Sequence, residues 1–186
     1  YSRFRYLLDR YSAWQVWADF ITMSACSLSL SDREQREEEY VSIAKRYQPE
    51  ELQRICEMFA LTVDALEENP NQDFLGDLFM RFDLGNTWKG QFFTPYCIRR
   101  MMSSLTADDL KAQVEEKHWV HSHDPACGAG ATLIAFANEC KDQGVNYQTS
   151  ALFVAQDIDR TAALMCYVQL SLLGCPGYVV VGDSIC

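Results

Sequence analysis

Positive charge is in short supply in this sequence: 16 Lys and Arg face 26 Asp and Glu, for a formal net charge of -10 and an isoelectric point near 4.7. A chain that gripped nucleic acid unaided would need a basic surface to neutralise phosphates. Tight DNA binding by these residues alone is therefore not expected, although contacts through other regions or subunits stay open. Long apolar runs are missing too, so no segment is expected to span a bilayer. The opening residues lack the pattern of a signal peptide. The 8 cysteines include no Cys-x-x-Cys pair. Reduced, mostly buried thiols in a cytoplasmic protein fit that usage better than a disulfide framework. His118, His121 and His123 cluster, but no fourth ligand at a recognised spacing joins them, and no metal is assigned. Repeats and low-complexity stretches are absent.

What is present suffices for a core. At 186 residues and 48% hydrophobic content, the chain fits one α/β domain, or a small helical domain followed by part of one. Residues 1–84 read as helical. Tyr6, Leu7, Tyr11, Trp14, Val16, Trp17, Phe20 and Ile21 recur near helical spacing, as one long helix or two short ones. Their tryptophans read as core packing rather than as a base-stacking platform. Ser31 and Asp32 offer a side-chain cap to a helix whose charged run, residues 33–39, forms a solvated face. Pro49 opens the next helix, and Pro70 with its neighbours breaks it. Phe74, Leu75, Leu78, Phe79 and Phe82 mark a short one. A turn-rich loop, residues 85–90, delivers Phe93, Thr94 and Pro95. They start a helix over residues 96–105 whose apolar face is Ile98, Met101, Met102 and Leu105. Residues 106–117 read as a further helix or a charged connection.

From residue 119 the pattern alternates β and α. Residues 119–123, 151–155 and 178–181 read as strands, the second a continuous apolar run expected of a buried parallel strand. Residues 131–141 and a segment capped by Asp159 read as helices, and residues 144–149 as a loop. The run Asp124-Pro125-Ala126-Cys127-Gly128-Ala129-Gly130 joins the first strand to its helix. Strand, glycine turn, helix is how an open α/β sheet builds a nucleotide pocket. Gly128 and Gly130 permit backbone angles and close approaches that a Cβ would block. Free N–H groups at the helix start then point at the ligand. The run has neither the third glycine of a dinucleotide fingerprint nor the Lys-Ser/Thr of a P-loop. It carries an aspartate, which suits an ammonium group and not a phosphate.

Acids follow the other strands as well, Asp157 after the second and Asp183 after the third. Ligands of such sheets bind at those strand ends, so one crevice receives all three carboxylates. Asp157 can accept both hydroxyls of a ribose, Asp183 the amino group of an adenine, and Asp124 an ammonium. An adenosine attached to an amino acid satisfies them together, and S-adenosylmethionine is that molecule. Singly, each acid would read as a cap or turn residue.

The same residues resemble a known family. The run from Asp124 to Gly130 is similar to the S-adenosylmethionine motif of amino-group (N-6) adenine DNA methyltransferases, above all the modification subunits of type I restriction systems. Gly90-Gln91-Phe92-Phe93-Thr94-Pro95 resembles their second cofactor motif, which precedes the first in that class, and residues 73–78 resemble the helix leading to it. Residues 155–159 resemble the ribose-binding motif, with Ala155 for the usual glycine and Asp157 for the usual glutamate. Gly182-Asp183-Ser184 resembles the adenine-contacting motif. The resemblance implies a partial Rossmann-like S-adenosylmethionine-dependent methyltransferase fold, βαβαβ, over residues 85–186, preceded by a helical region over residues 1–84. It implies S-adenosyl-L-methionine as cofactor, held by Phe93, Thr94, Pro95, Asp124, Ala126, Gly128, Gly130, Asp157, Ile158, Asp183 and Ser184. DNA is the implied substrate. Restriction and specificity subunits and a second copy of the chain are the candidate partners.

The family's Asn/Asp-Pro-Pro-Tyr/Phe motif, which receives the flipped adenine, does not occur in the sequence, so no catalytic residue is assigned. Two functions stay open. One is the cofactor-binding part of a site-specific adenine methyltransferase of a restriction-modification system. The other is a catalytically inactive S-adenosylmethionine-binding relative with a regulatory or assembly role on a mobile element. Three strands are half of such a sheet and would leave an apolar edge, which proteins pair or cover. Further chain encoded by the gene, the helical region or a second copy is expected at that edge. Tyr1 in place of methionine also suggests a longer gene product.

Overall fold

A computed structural model describes residues 2–84 and 93–184. Helices come first: α1 (Ser2–Leu7), α2 (Ala13–Leu28), α3 (Arg33–Ala44), α4 (Pro49–Glu68), α5 (Phe74–Arg81), α6 (Tyr96–Thr106) and α7 (Leu110–Lys117). The α/β unit follows: β1 (Val120–Asp124), α8 (Ala131–Asp142), the single turn α9 (Tyr147–Ser150), β2 (Ala151–Asp157), α10 (Arg160–Leu172) and β3 (Gly177–Val181).

Short polar residues set several boundaries. The Ser12 hydroxyl accepts from Gln15 N at 3.2 Å, so the aromatic opening segment splits into α1 and α2. Pro49 sits in the first turn of α4, where Glu51 accepts from Gln48 N at 2.8 Å. Asp159 accepts from Ala162 N at 3.0 Å and starts α10. Asp32 departs from expectation: it flanks α3 in the left-handed region at φ 51° and makes no side-chain cap. The α9 turn, read as loop from sequence, is capped by Asn146, which accepts from Gln148 N. β1 and β2 also run further than expected, so Asp124 and Asp157 are the last strand residues rather than the residues after them.

The strands form a parallel sheet in the order β1-β2-β3. Asp124 pairs with Ala155, and Asp157 with Val181, which brings the carboxyl ends to one rim. Ala151, Phe153 and Ala155 are buried on the face covered by α8 and α10, as period-two alternation requires. The opposite face carries half-buried Leu152 and Val154 with exposed His121, His123, Tyr178 and Val180. β1 is an edge strand, as expected of half a sheet, but its exposed residues are the two histidines; the exposed apolar residues lie on β3. His121 lies 5.5 Å from the ring of Trp119. No group of three metal-ligating side chains occurs among the described residues, and no described helix is long and apolar enough to cross a membrane.

α10 has apolar residues nearly all round, which marks a helix buried on both sides. Phe153, Cys166 and Leu170 belong to the core under the sheet. Leu164, Met165 and Val168 belong to a second core with Leu7, Trp17, Phe20, Ile21, Ile55 and Phe79. Trp17 is fully buried, with Phe20 and Phe82 packed edge-on at 5.8 and 5.9 Å, so it is core and not a stacking platform.

α6 is turned inside out relative to expectation. Ile98, Met101, Met102 and Leu105 face solvent, Leu105 at 76% exposure. The helix packs on α8 through polar residues. Arg100 bridges Glu139 and Asp142, Ser103 is buried, and the Tyr96 hydroxyl donates to Asn71 at 2.7 Å and lies 3.3 Å from Asn138 Nδ2. The Arg100 and Gln143 hydrogen bonds hold the Glu139 carboxyl below the usual glutamate range, and the Gln48 N–H does the same for Glu51. A carboxylate with a depressed folded pKa contributes stability above its unfolded value of about 4.3 and loses it as pH falls through the folded value. Unfolding by urea should therefore become easier as pH drops below about 4.3, and Glu139→Gln should flatten that dependence. An unchanged slope in the variant would show that Arg100 does not hold α6 to α8 through Glu139.

Candidate active site

The turn between β1 and α8 is shaped by its glycines and tied down by backbone groups. Gly128 and Gly130 adopt φ values of 55° and 98°, which disfavour any side chain. A Cβ on Gly128 would lie 3.0 Å from the Phe93 ring, and one on Gly130 would lie 2.8 Å from Cys166 Sγ. Cys127 N donates to Gln156 O at 2.9 Å and Gly128 N to Asp157 Oδ2 at 2.8 Å, so the turn is stitched to the end of β2. The other Asp157 oxygen accepts from Asp159 N at 2.9 Å. A carboxylate has roughly four lone-pair positions, so Asp157 keeps acceptor capacity toward the rim while it fixes two turns. Cys127 is buried beneath the turn, consistent with a packing role. The neighbouring Cys127 thiol, together with burial, pushes the Cys166 thiol well above its ordinary range.

A cavity of about 160 Å³ opens beside this turn, walled by Asp73, Phe93, Thr94, Arg99, Ala126, Cys127, Gly128, Ala129, Ala131 and Asp157. Of the residues expected from sequence, Phe93, Thr94, Ala126, Gly128 and Asp157 meet there. Pro95, Asp124, Gly130, Ile158, Asp183 and Ser184 do not line it. Pro95 is exposed at the start of α6. Asp124 folds its carboxylate back onto Ala126 N at 3.1 Å. Gly130 is buried at the start of α8, Ile158 is 72% exposed just beyond β2, and Asp183 and Ser184 are exposed beyond β3. Residues 85–92, including the Gly90-Gln91-Phe92 part of the upstream motif, lie outside the described residues.

Sequence reasoning gave no site role to Asp73, Arg99 or Gln169. Asp73 caps α5, accepting from Gly76 N at 3.0 Å, and is only 3% exposed. Burial raises its pKa, against the opposing pull of the Gln169 and Gly76 hydrogen bonds and the positive charge of Arg99. Gln169 is fully buried on α10 and donates to Asp73 Oδ1 at 2.7 Å and to Ala129 O at 2.8 Å. Its own oxygen accepts from Leu75 N at 3.0 Å. One amide thus locks the start of α5 to the glycine turn. The only sequence signal for it is a lone amide among the apolar residues of a helix. An aspartate ahead of an apolar run reads as a cap, which Asp73 also is.

The model of the N-6 DNA Methylase family matches residues 71–183, from the turn before α5 to the end of the described rim. No curated protein and no solved structure matches the chain. The match spans well over half of the sequence and contains both the glycine turn and every wall of the cavity, and the chain therefore belongs to the N-6 DNA methylase family.

Proposed function

We propose that this chain is the S-adenosylmethionine-binding part of a site-specific DNA adenine methyltransferase of a restriction-modification system, working in the cytoplasm. The observation that carries the reading is the cavity at the strand ends, with the glycine turn on one side, Phe93 and Thr94 on another and Asp157 in its wall. The residues fit the cofactor. The turn packs too closely on Phe93 and Cys166 to admit a Cβ at Gly128 or Gly130, Gly128 lines the cavity, and Asp157 has acceptor positions left for the two ribose hydroxyls. Exposed Ile158 offers an apolar shelf for the adenine, and Asp183 and Ser184 lie beyond β3 on the same rim of a Rossmann-like sheet, on the side assigned to its amino group. Phe93 and Thr94 bound the site just ahead of α6, Pro95 starts that helix, and Asp124, Ala126 and the loop N–H groups hold the turn. The cofactor, when bound, supplies an activated methyl group; this chain's residues orient it and shield it from water.

Adenine in DNA is the methyl acceptor in this reading. With a net charge of -10, the chain would depend on restriction and specificity subunits, or a second copy, for its hold on DNA. Titration calorimetry of the intact chain with S-adenosylmethionine tests the cofactor reading. Saturable binding is expected, weakened at least about tenfold in Asp157→Ala by lost ribose contacts. Absence of binding by folded wild-type protein would overturn the reading.

A further inference from the structure

We infer that Asp73 and Arg99 form a reader for the two ends of an α-amino acid, Asp73 taking the ammonium and Arg99 the carboxylate of the ligand seated between them. The inference rests on the reading that the cavity takes S-adenosylmethionine, and it assigns that ligand's amino-acid end to residues outside the glycine turn.

Opposite charges line the same small space. Asp73 comes from the start of α5 and Arg99 from the first half of α6. No ion pair joins them among the described residues. Each side chain keeps hydrogen-bonding capacity that the described residues do not fill. Asp73 Oδ1 is held by Gln169 and Gly76, while its second oxygen accepts nothing from the described residues. Arg99 Nη2 donates to Thr94 Oγ1 at 3.2 Å, and its buried Nε has no acceptor among the described residues. A buried guanidinium N–H without a partner is costly and marks a place for an anionic group. A carboxylate held rigidly by an internal amide marks a place for a cation. A single zwitterion spanning the gap satisfies both at once.

Size supports this assignment. Pockets for whole drug-sized ligands measure roughly 300–1,000 Å³, and this cavity measures about 160 Å³. It has room for one end of a nucleoside amino acid, with Asp157 marking where the ribose begins. Asp124, the acid that sequence reasoning paired with the ammonium, has folded back onto the Ala126 N–H and does not line the cavity.

Two thioether nucleosides separate the possibilities: S-adenosylhomocysteine carries the amino-acid end, and 5′-methylthioadenosine lacks it. Calorimetry on the full chain should show S-adenosylhomocysteine binding about a hundredfold more tightly, from two charged contacts. Arg99→Met and Asp73→Asn should each weaken S-adenosylhomocysteine about tenfold or more and leave 5′-methylthioadenosine within about twofold. Asp73→Asn keeps a capping oxygen for Gly76. Arg99→Met removes a side chain from a half-exposed helix and keeps the test alive if the Asp73 variant does not fold. An unchanged preference in Arg99→Met, or equal loss of both nucleosides, would overturn the inference while leaving the cofactor site standing. Wild-type protein that binds neither nucleoside would instead overturn the cofactor reading itself, and this inference with it.

Discussion

Replacing Gln169 by leucine should cost about 4 kcal/mol of folding stability, more than most single substitutions in a domain of this size. The side chains are similar in volume, so the effect comes from hydrogen bonds and not from space. Leucine leaves the Asp73 carboxylate without its amide donor, the Ala129 carbonyl without a partner and the Leu75 N–H without an acceptor. Each buried neutral group stranded in this way costs about 1–3 kcal/mol, and a charged one more. The pH dependence gives a second signature. Asp73 has a folded pKa raised above its unfolded value of about 3.9. Its contribution to stability is therefore complete below about pH 3.9 and is lost as pH rises through the folded value. Leucine removes a donor that favours the ionised form, so the folded pKa rises further and the penalty grows toward neutral pH. Urea unfolding of both proteins at acid and neutral pH would measure this. A loss under about 1 kcal/mol at neutral pH would mean that the bridge between α5 and the glycine turn is dispensable.

Gly177→Ala should be nearly as damaging, by a different route. Gly177 opens β3 and pairs with Phe153, which is fully buried in the sheet's central strand. A Cβ on Gly177 would lie 1.9 Å from the Phe153 carbonyl oxygen and 3.0 Å from the Phe153 Cβ. Neither neighbour is a flexible chain end that could swing aside. Phe153 N is itself held by Pro176 O at 2.8 Å, so the start of β3 would have to leave β2 altogether. Forced overpacking of a well-packed site costs about 1–3 kcal/mol and sometimes more, and we expect the upper end here. Hydrogen exchange should show β3 amides losing protection while β1 and α8 keep theirs. The rim beyond β3, with Asp183 and Ser184, would lose its anchor, and any affinity that depends on it would fall as well. A variant within about 0.5 kcal/mol of wild type would show that the strand start shifts freely.

The contrast between what the sequence reveals and what it hides follows from the range of the interactions. Ala151 to Ala155 form a short apolar run of the kind a sheet's inner strand accommodates, and Gly128 and Gly130 stand where backbone angles disfavour other residues. Pro49 and Asp159 act within one helical turn, so their roles are legible from neighbours alone. α6 shows the limit. Periodicity reports that Ile98, Met101, Met102 and Leu105 share a face, but not whether that face points inward. The answer depended on Glu139 and Asp142, some forty residues on in α8, which draw Arg100 and turn the polar side down. Asp124 is a similar case, because a carboxylate at a strand end can serve a ligand or its own turn, and the folded turn shows it accepting from Ala126 N. Asp73, Arg99 and Gln169 converge from three helices, α5, α6 and α10, and no local pattern announces such a meeting.

α10 has a consequence for cooperativity. Because one helix completes both cores, the N-terminal helices and the sheet cannot melt as separate foldons. Ala129, in the glycine turn itself, packs into the same cluster as Trp17. Local fluctuations that loosen α2 are therefore felt at the turn, and a ligand that braces the turn raises the opening free energy of helices that never touch it.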